Sequence, residues 1–121
     1  MKTILIVDDD KNFANLVKAA IDPKKYTTVS AHDGVEGLKK MEESIPDLIL
    51  LDILMPNMDG MEFLRQINKK YGEGKTPVVI TSNTVALEKI SLGLELGIRA
   101  YIQKSNESLK SLSDTVARIL G

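Results

Sequence analysis

Five residues of this chain could do chemistry together: Asp8, Asp9, Asp52, Ser82 and Lys104. Each lies at the end of a short, mostly apolar run or within two residues of it, and in an open parallel sheet the carboxyl ends of the strands are where ligands bind. Carboxylates gathered at one sheet edge repel one another and raise each other's pKa unless a cation sits among them. A hard divalent ion fits such a place, and Mg²⁺ suits it best. That ion prefers one or two carboxylates plus water and a phosphoryl oxygen, whereas a dedicated Ca²⁺ site wants more protein oxygens. With a cation and the Lys104 ammonium nearby, Asp52 could attack and accept a phosphoryl group, a transfer that depends mainly on positioning and charge stabilisation. Ser82 could donate a hydrogen bond to a second phosphoryl oxygen.

The elements that must hold these residues alternate strictly. Leu48 to Leu51 are four apolar residues in a row between Pro46-Asp47 and a Pro/Asn/Asp/Gly cluster, the pattern of a strand buried on both faces, and Asp52 follows directly. Thr3 to Val7 reads as a first strand running into Asp8-Asp9-Asp10. A helix over 11–21 then turns Phe13, Leu16, Val17, Ala20 and Ile21 inward, with Asp10 as its cap. Tyr26 to Ala31 is more polar and reads as an edge strand. A second helix, closing near Ser44, turns Val35, Leu38 and Met41 inward.

Asp59-Gly60 leads a third helix with Met61, Leu64 and Ile67 on one face, ending around Tyr71-Gly72. Val78 to Ser82 forms a fourth strand. A fourth helix runs from Val85 to Leu96 with Gly97 as its stop, Ala100 to Gln103 forms a fifth strand, and a closing helix from about Glu107 to Leu120 turns Leu109, Leu112, Val116 and Ile119 inward. Five strands and five helices in alternation predict an α/β fold with a parallel sheet and helices on both faces.

Composition narrows the possible partners. The chain has 121 residues, 43% hydrophobic and 27% charged, the size and balance of one ordinary domain over residues 1–121. A net charge of -1 from 16 basic and 17 acidic residues gives no global attraction to nucleic acid or to an anionic membrane. Without cysteine, and with His32 as its single histidine, the chain has neither disulfides nor a multi-His zinc site of its own. The apolar run at the amino end is too short and too soon charged for a signal peptide or membrane span, so a cytoplasmic protein is the default.

These residues resemble the receiver domain of two-component response regulators, of the chemotaxis single-domain type, along the whole chain. The likeness rests on Asp8-Asp9 after the first strand, Asp52-Ile53-Leu54-Met55-Pro56 with Met58-Asp59-Gly60 following, Ser82 ending the fourth strand, Tyr101 in the fifth, and Lys104 after it. It implies a flavodoxin-like doubly wound (βα)5 sheet of order 2-1-3-4-5. Asp52 would be the phosphoacceptor. Mg²⁺ would be held by Asp9, Asp52 and the backbone carbonyl of Leu54, with Asp8 in support. Lys104 would pair with the phosphoryl group, while Ser82 and Tyr101 would move as the switch.

By the same resemblance the donor is a phosphohistidine on a sensor histidine kinase or phosphotransfer protein. The chain is then a phosphoacceptor that catalyses its own phosphorylation and dephosphorylation, not an enzyme in the usual sense. Its output would be a protein contact or a homodimer through the fourth helix, fifth strand and fifth helix. On the fourth helix Leu87, Ile90 and Leu94 form one stripe and Val85, Leu92 and Leu96 another nearly opposite, at about 100° per residue. The resemblance turns the second inward and leaves the first outward beside Tyr101, a patch suited to contact.

Three positions depart from the usual receiver pattern. Ser105 follows Lys104 where proline joined by a cis peptide is usual, and a trans bond is expected, because a non-proline cis bond costs about 2.5 to 4 kcal/mol. Asn83 brings bulk beside the phosphoryl position. Leu54 puts an apolar side chain where a polar one is often found, which predicts slow hydrolysis of the acyl phosphate.

Plainer readings stand beside these. Asp10 and Asp59 are helix caps, Ser82 alone is an ordinary strand-end residue, Lys104 alone would be a solvated lysine, and His32 is simply exposed. Tyr101 could be a strand aromatic with no switching role. The alternative function is a pseudo-receiver, an interaction domain that works without phosphate. An aspartate-nucleophile phosphohydrolase is excluded by the lack of room for a cap and extra strands. A flavin-binding domain of similar topology is weaker still, since no Ser/Thr/Gly-rich phosphate loop follows the first strand.

Overall fold

The structure, a computed structural model, describes residues 1–83, 86–105 and 108–121. Strands and helices alternate as β1 (Lys2–Val7), α1 (Lys11–Ala20), β2 (Tyr26–Ala31), α2 (Gly34–Glu43), β3 (Leu48–Asp52), α3 (Gly60–Tyr71), β4 (Val78–Ser82), α4 (Leu87–Glu95), β5 (Ala100–Gln103) and α5 (Ser108–Leu120). The strands form one parallel sheet in the order β2-β1-β3-β4-β5, the flavodoxin-like arrangement the sequence predicts. The chain crosses to opposite sides of β1 for β2 and β3. The loops leaving β1 and β3 therefore diverge, and a crevice opens at the carboxyl ends of these strands.

The unbroken apolar run of β3 makes it the buried centre, with all five of its residues buried. Alternate residues feed two cores. Leu5, Val7, Ile49, Leu51, Val78 and Ile80 pack with Met41, Met61, Leu64 and Ile67 on one face. Ile4, Ile6, Leu48, Leu50 and Val79 pack with Ala14, Val17, Leu112 and Val116 on the other. Asp10, Asp33 and Asp59 each cap a helix by accepting a hydrogen bond from the backbone N–H three residues on. Among the described residues no peptide bond is cis, including that between Lys104 and Ser105. No helix among them is long and apolar enough to cross a membrane.

Two inward assignments are corrected. Leu16 is 53% exposed, and Ala14 takes its place facing the sheet. At about 100° per residue, Ala14 and Val17 centre the buried stripe and Leu16 lies well over 90° from that centre. Val35 is also exposed, at 42%. The buried face of α2 is built on Gly34, Gly37 and Met41, and glycines leave no apolar mark in a hydrophobic pattern. At Gly37 a Cβ would lie 3.0 Å from the Phe63 ring and 3.2 Å from Val7, so the missing side chain is what lets α2 approach. The fourth helix packs Leu92 and Leu96 against the core and leaves Leu87 and Leu94 exposed, as expected, whereas Ile90, expected outward with them, is half-buried. The expected helix starts at Val85 and Glu107 fall outside the described residues.

Candidate functional site

Parallel register brings the chemistry-bearing residues to one end of the sheet. Val7 ends β1 and Asp8 and Asp9 follow, Asp52 is the last residue of β3, Ser82 the last of β4, and Lys104 comes directly after β5. Asp52 pairs with Thr81 across the sheet and Ser82 with Gln103, so Ser82 stands one residue beyond the level of Asp52. Carboxylate oxygens of Asp8, Asp9 and Asp52 lie within 4.8 Å of one another. Asp8 and Asp52 are 4% and 5% exposed, while Asp9 faces solvent.

The backbone holds this cluster firmly. Asp8 N–H donates to the Ala31 carbonyl at 3.0 Å, and its Oδ1 accepts from Asp10 N–H at 2.9 Å. Lys104 N–H donates to the Ser82 carbonyl at 2.7 Å, which ties the loop after β5 to the end of β4. Gly60 N–H donates to the Ile53 carbonyl at 2.8 Å, and a Cβ on Gly60 would run into the Asp52 carbonyl oxygen. Only glycine therefore lets the start of α3 sit so close behind Asp52. Asn57, at φ 69°, donates from Nδ2 to Asp33 Oδ2 at 2.8 Å and joins the loops after β3 and β2.

Charge is left unbalanced. The Lys104 side chain is 6% exposed, far from a solvated surface lysine; its Nζ donates to Asp8 Oδ1 at 3.1 Å and lies 3.6 Å from Asp52 Oδ2. One ammonium thus reaches two of the three clustered carboxylates, Asp8 and Asp52. Burial first, and then the Asp8 charge, push the Asp52 carboxyl up to about 7, against the pull of Lys104. Asp8 is raised too, by burial, with Lys104 and the Asp10 N–H holding it down.

A cation would relieve this. Asp8 Oδ2 is buried and accepts no hydrogen bond, because Lys104 approaches it only as an ion contact at 2.9 Å while bonding Oδ1. That oxygen, together with the carboxylates of Asp9 and Asp52, makes a hard all-oxygen donor set of the kind Mg²⁺ or Mn²⁺ takes.

Of the residues singled out in the sequence, Asp8, Asp9, Asp52 and Lys104 come together, and Ser82 lies fully buried beside them at the end of β4. Tyr101 is half-buried one strand further along and packs against the core under α4. Leu54 is 60% exposed at the mouth of the crevice. Leu87, Ile90 and Leu94 lie on α4, apart from the carboxylates. Sequence reasoning gave Phe13 only a core role, yet its ring centre stands 4.6 Å from Lys104 Nζ. Periodicity cannot tell an aromatic that packs from one that also meets a cation. Gly60 left a faint signal, read only as part of a helix start.

The family model described as response regulator receiver domain matches residues 4–116. The transcriptional regulatory protein CpxR of Klebsiella pneumoniae subsp. pneumoniae is 36% identical over 105 residues, 86% of this chain, and the chain spans only 43% of that relative's length. Among solved structures, the phosphorylated cyanobacterial phytochrome response regulator RcpA is 31% identical with a TM-score of 0.83, over 98% of this chain and 90% of that one. The response regulator TrrA from Thermotoga maritima, in complex with Mg²⁺-BeF, is 29% identical with a TM-score of 0.85, over 99% of this chain and 100% of that one.

Proposed function

The chain belongs to the receiver-domain family of two-component response regulators, and on that premise we propose that it takes a phosphoryl group on Asp52 from the phosphohistidine of a sensor histidine kinase or phosphotransfer protein. The receiver unit in this reading is residues 1–121. The observation that carries the proposal is a buried Asp52 carboxylate flanked by two further carboxylates and 3.6 Å from the Lys104 ammonium. Two structural neighbours, one phosphorylated and one holding Mg²⁺-BeF, support it.

An Asp52 oxygen attacks phosphorus as the P–N bond to the imidazole breaks, and the departing imidazole takes up a proton. Asp52 must be ionised to attack, and its raised pKa means that a neighbouring positive charge has to hold it so. Asp9, Asp52 and the Leu54 carbonyl would hold Mg²⁺, with Asp8 in support; the ion supplies charge neutralisation for the incoming phosphoryl oxygens. The Lys104 ammonium is close enough to turn from Asp52 to a phosphoryl oxygen without leaving Asp8. Ser82 donates to another. Its movement, and that of Tyr101, carry the change to the face made by α4, β5 and α5, where Leu87, Ile90 and Leu94 meet a downstream protein or a second copy. Hydrolysis of the aspartyl phosphate resets the switch, and the chain catalyses both steps on itself.

Intact mass after incubation with acetyl phosphate and Mg²⁺ tests the chemistry. A labile gain of about 80 Da, the mass of one phosphoryl group, is expected in the wild type. It should be lost in Asp52→Asn and in the presence of a chelator. A gain that survives Asp52→Asn overturns the assignment of the acceptor.

A further inference from the structure

Lys104 has a neighbour that no carboxylate accounts for. Its side chain is 6% exposed, so water does little to hold the ammonium in place. On the carboxylate side it reaches Asp8 at 2.9 and 3.1 Å and Asp52 at 3.6 Å. Against the same ammonium stands the ring of Phe13, with its centre 4.6 Å from Nζ, well within the range at which an aromatic face attracts a cation.

That ring is itself fixed. Phe13 is the third residue of α1, its N–H donates to the capping Asp10 carboxylate at 3.1 Å, and its half-buried side chain packs at the border of the core under α1. We propose that Phe13 is the positioning residue for Lys104, holding the ammonium at the Asp8–Asp52 pair while leaving its N–H groups free to turn toward a phosphoryl oxygen.

The choice of an aromatic has a physical reason. A third carboxylate or an amide oxygen at this place would bind the ammonium through a directed hydrogen bond, and the arriving phosphoryl group would have to compete for it. A plain aliphatic wall would exclude water but offer no attraction. The ring face attracts the charge without claiming any one N–H, so Lys104 is held yet stays available. The inference rests on the proposed role of Lys104 in phosphoryl transfer.

Two substitutions separate attraction from mere packing. Phe13→Leu keeps an apolar wall and removes the ring; Phe13→Tyr keeps the ring. By NMR of the metal-free, unphosphorylated full chain, the ε-methylene protons of Lys104 should be moved upfield by the ring in wild type and in Phe13→Tyr, and should lose that displacement in Phe13→Leu. With acetyl phosphate and Mg²⁺, Phe13→Leu should be phosphorylated about fivefold more slowly, the effect of losing one partly desolvated cation–aromatic contact, and Phe13→Tyr should stay within about twofold of wild type on the same basis. Urea unfolding of Phe13→Leu, Lys104→Met and the double variant, without metal, should be non-additive.

A Leu variant as fast as wild type, or a Tyr variant as slow as Leu, overturns the proposal, and so does additive unfolding. If the wild type itself takes up no phosphoryl group, the proposed function fails instead. The ring-current displacement and the unfolding cycle then still decide whether Phe13 holds Lys104.

Discussion

Replacing Asp52 by asparagine should stabilise the metal-free protein, and by an amount that depends on pH. The carboxyl rises from 3.8 to about 7 in the fold, chiefly by burial and the charge of Asp8. A rise of about three pH units, at 1.36 kcal/mol each, sets an upper limit of about 4 kcal/mol on the cost of folding with Asp52 ionised. Water entering the crevice and relaxation of the loops reduce such costs in practice, so about 2 kcal/mol is expected. Lys104 keeps Asp8 as its partner in the variant, and no buried cation is orphaned.

Between pH 3.8 and about 7 the folded protein holds a proton that the unfolded chain has released, so wild-type stability falls as pH rises across that window and levels off above it. The advantage of Asp52→Asn is therefore small near pH 4, grows through neutrality, and is largest at pH 8. Urea unfolding with EDTA at pH 5, 6, 7 and 8 measures it. Saturating Mg²⁺ should narrow or reverse the gap, because an ion at a hundred times its Kd adds about 2.7 kcal/mol to the protein that binds it, and the variant lacks one carboxylate. An advantage that is the same at pH 5 and pH 8, or absent at both, refutes the reasoning that burial among carboxylates strains Asp52.

Two further outcomes follow from residues around the site and on α4. Leu54, 60% exposed at the crevice, should slow attack of water on the acyl phosphate, so Leu54→Asn shortens the phosphorylated lifetime several-fold in a time course by mass; an unchanged lifetime removes Leu54 from the account. Ile90→Glu places a charge in the Leu87–Leu94 stripe and should abolish partner binding or self-association measured with BeF₃⁻ and Mg²⁺ by light scattering and pull-down, with the fold intact by circular dichroism; unchanged association makes the stripe incidental.

What could be read from the chain in advance follows from how local each cause is. The buried strand and the acid that ends it are adjacent in sequence, so Leu48 to Asp52 declare both the centre of the sheet and the place of the proposed acceptor. The caps are equally local, since Asp10, Asp33 and Asp59 act three residues away. Helix faces were less legible where glycine does the packing. At α2 the contact rests on side chains that are not there, and the apolar pattern pointed to Val35 instead. Longer-range partners left no trace: Phe13 meets Lys104 ninety-one residues away (104 − 13) and Asn57 meets Asp33 across a loop. Pattern has no term for such pairs, because the fold alone decides which strand ends are neighbours.

The electrostatics then give those long-range contacts a common sense. Three carboxylates with one ammonium make a site that is least comfortable when bare, with burial and the Asp8 charge pushing the Asp52 carboxyl up to about 7. A cation would remove that strain, and a phosphoryl group would bring new oxygens to which Lys104 could turn. Under the proposed function each ligand would change which loops the site holds together, through Lys104, whose N–H bonds the Ser82 carbonyl, on one side and through Gly60 behind Asp52 on the other. A site that was fully satisfied when empty would bind the same ligands with no reason to move. Under the proposed function the residual charge imbalance at Asp52 would give the cation and the phosphoryl group different preferences among the loop arrangements, and such a difference is the requirement for a switch.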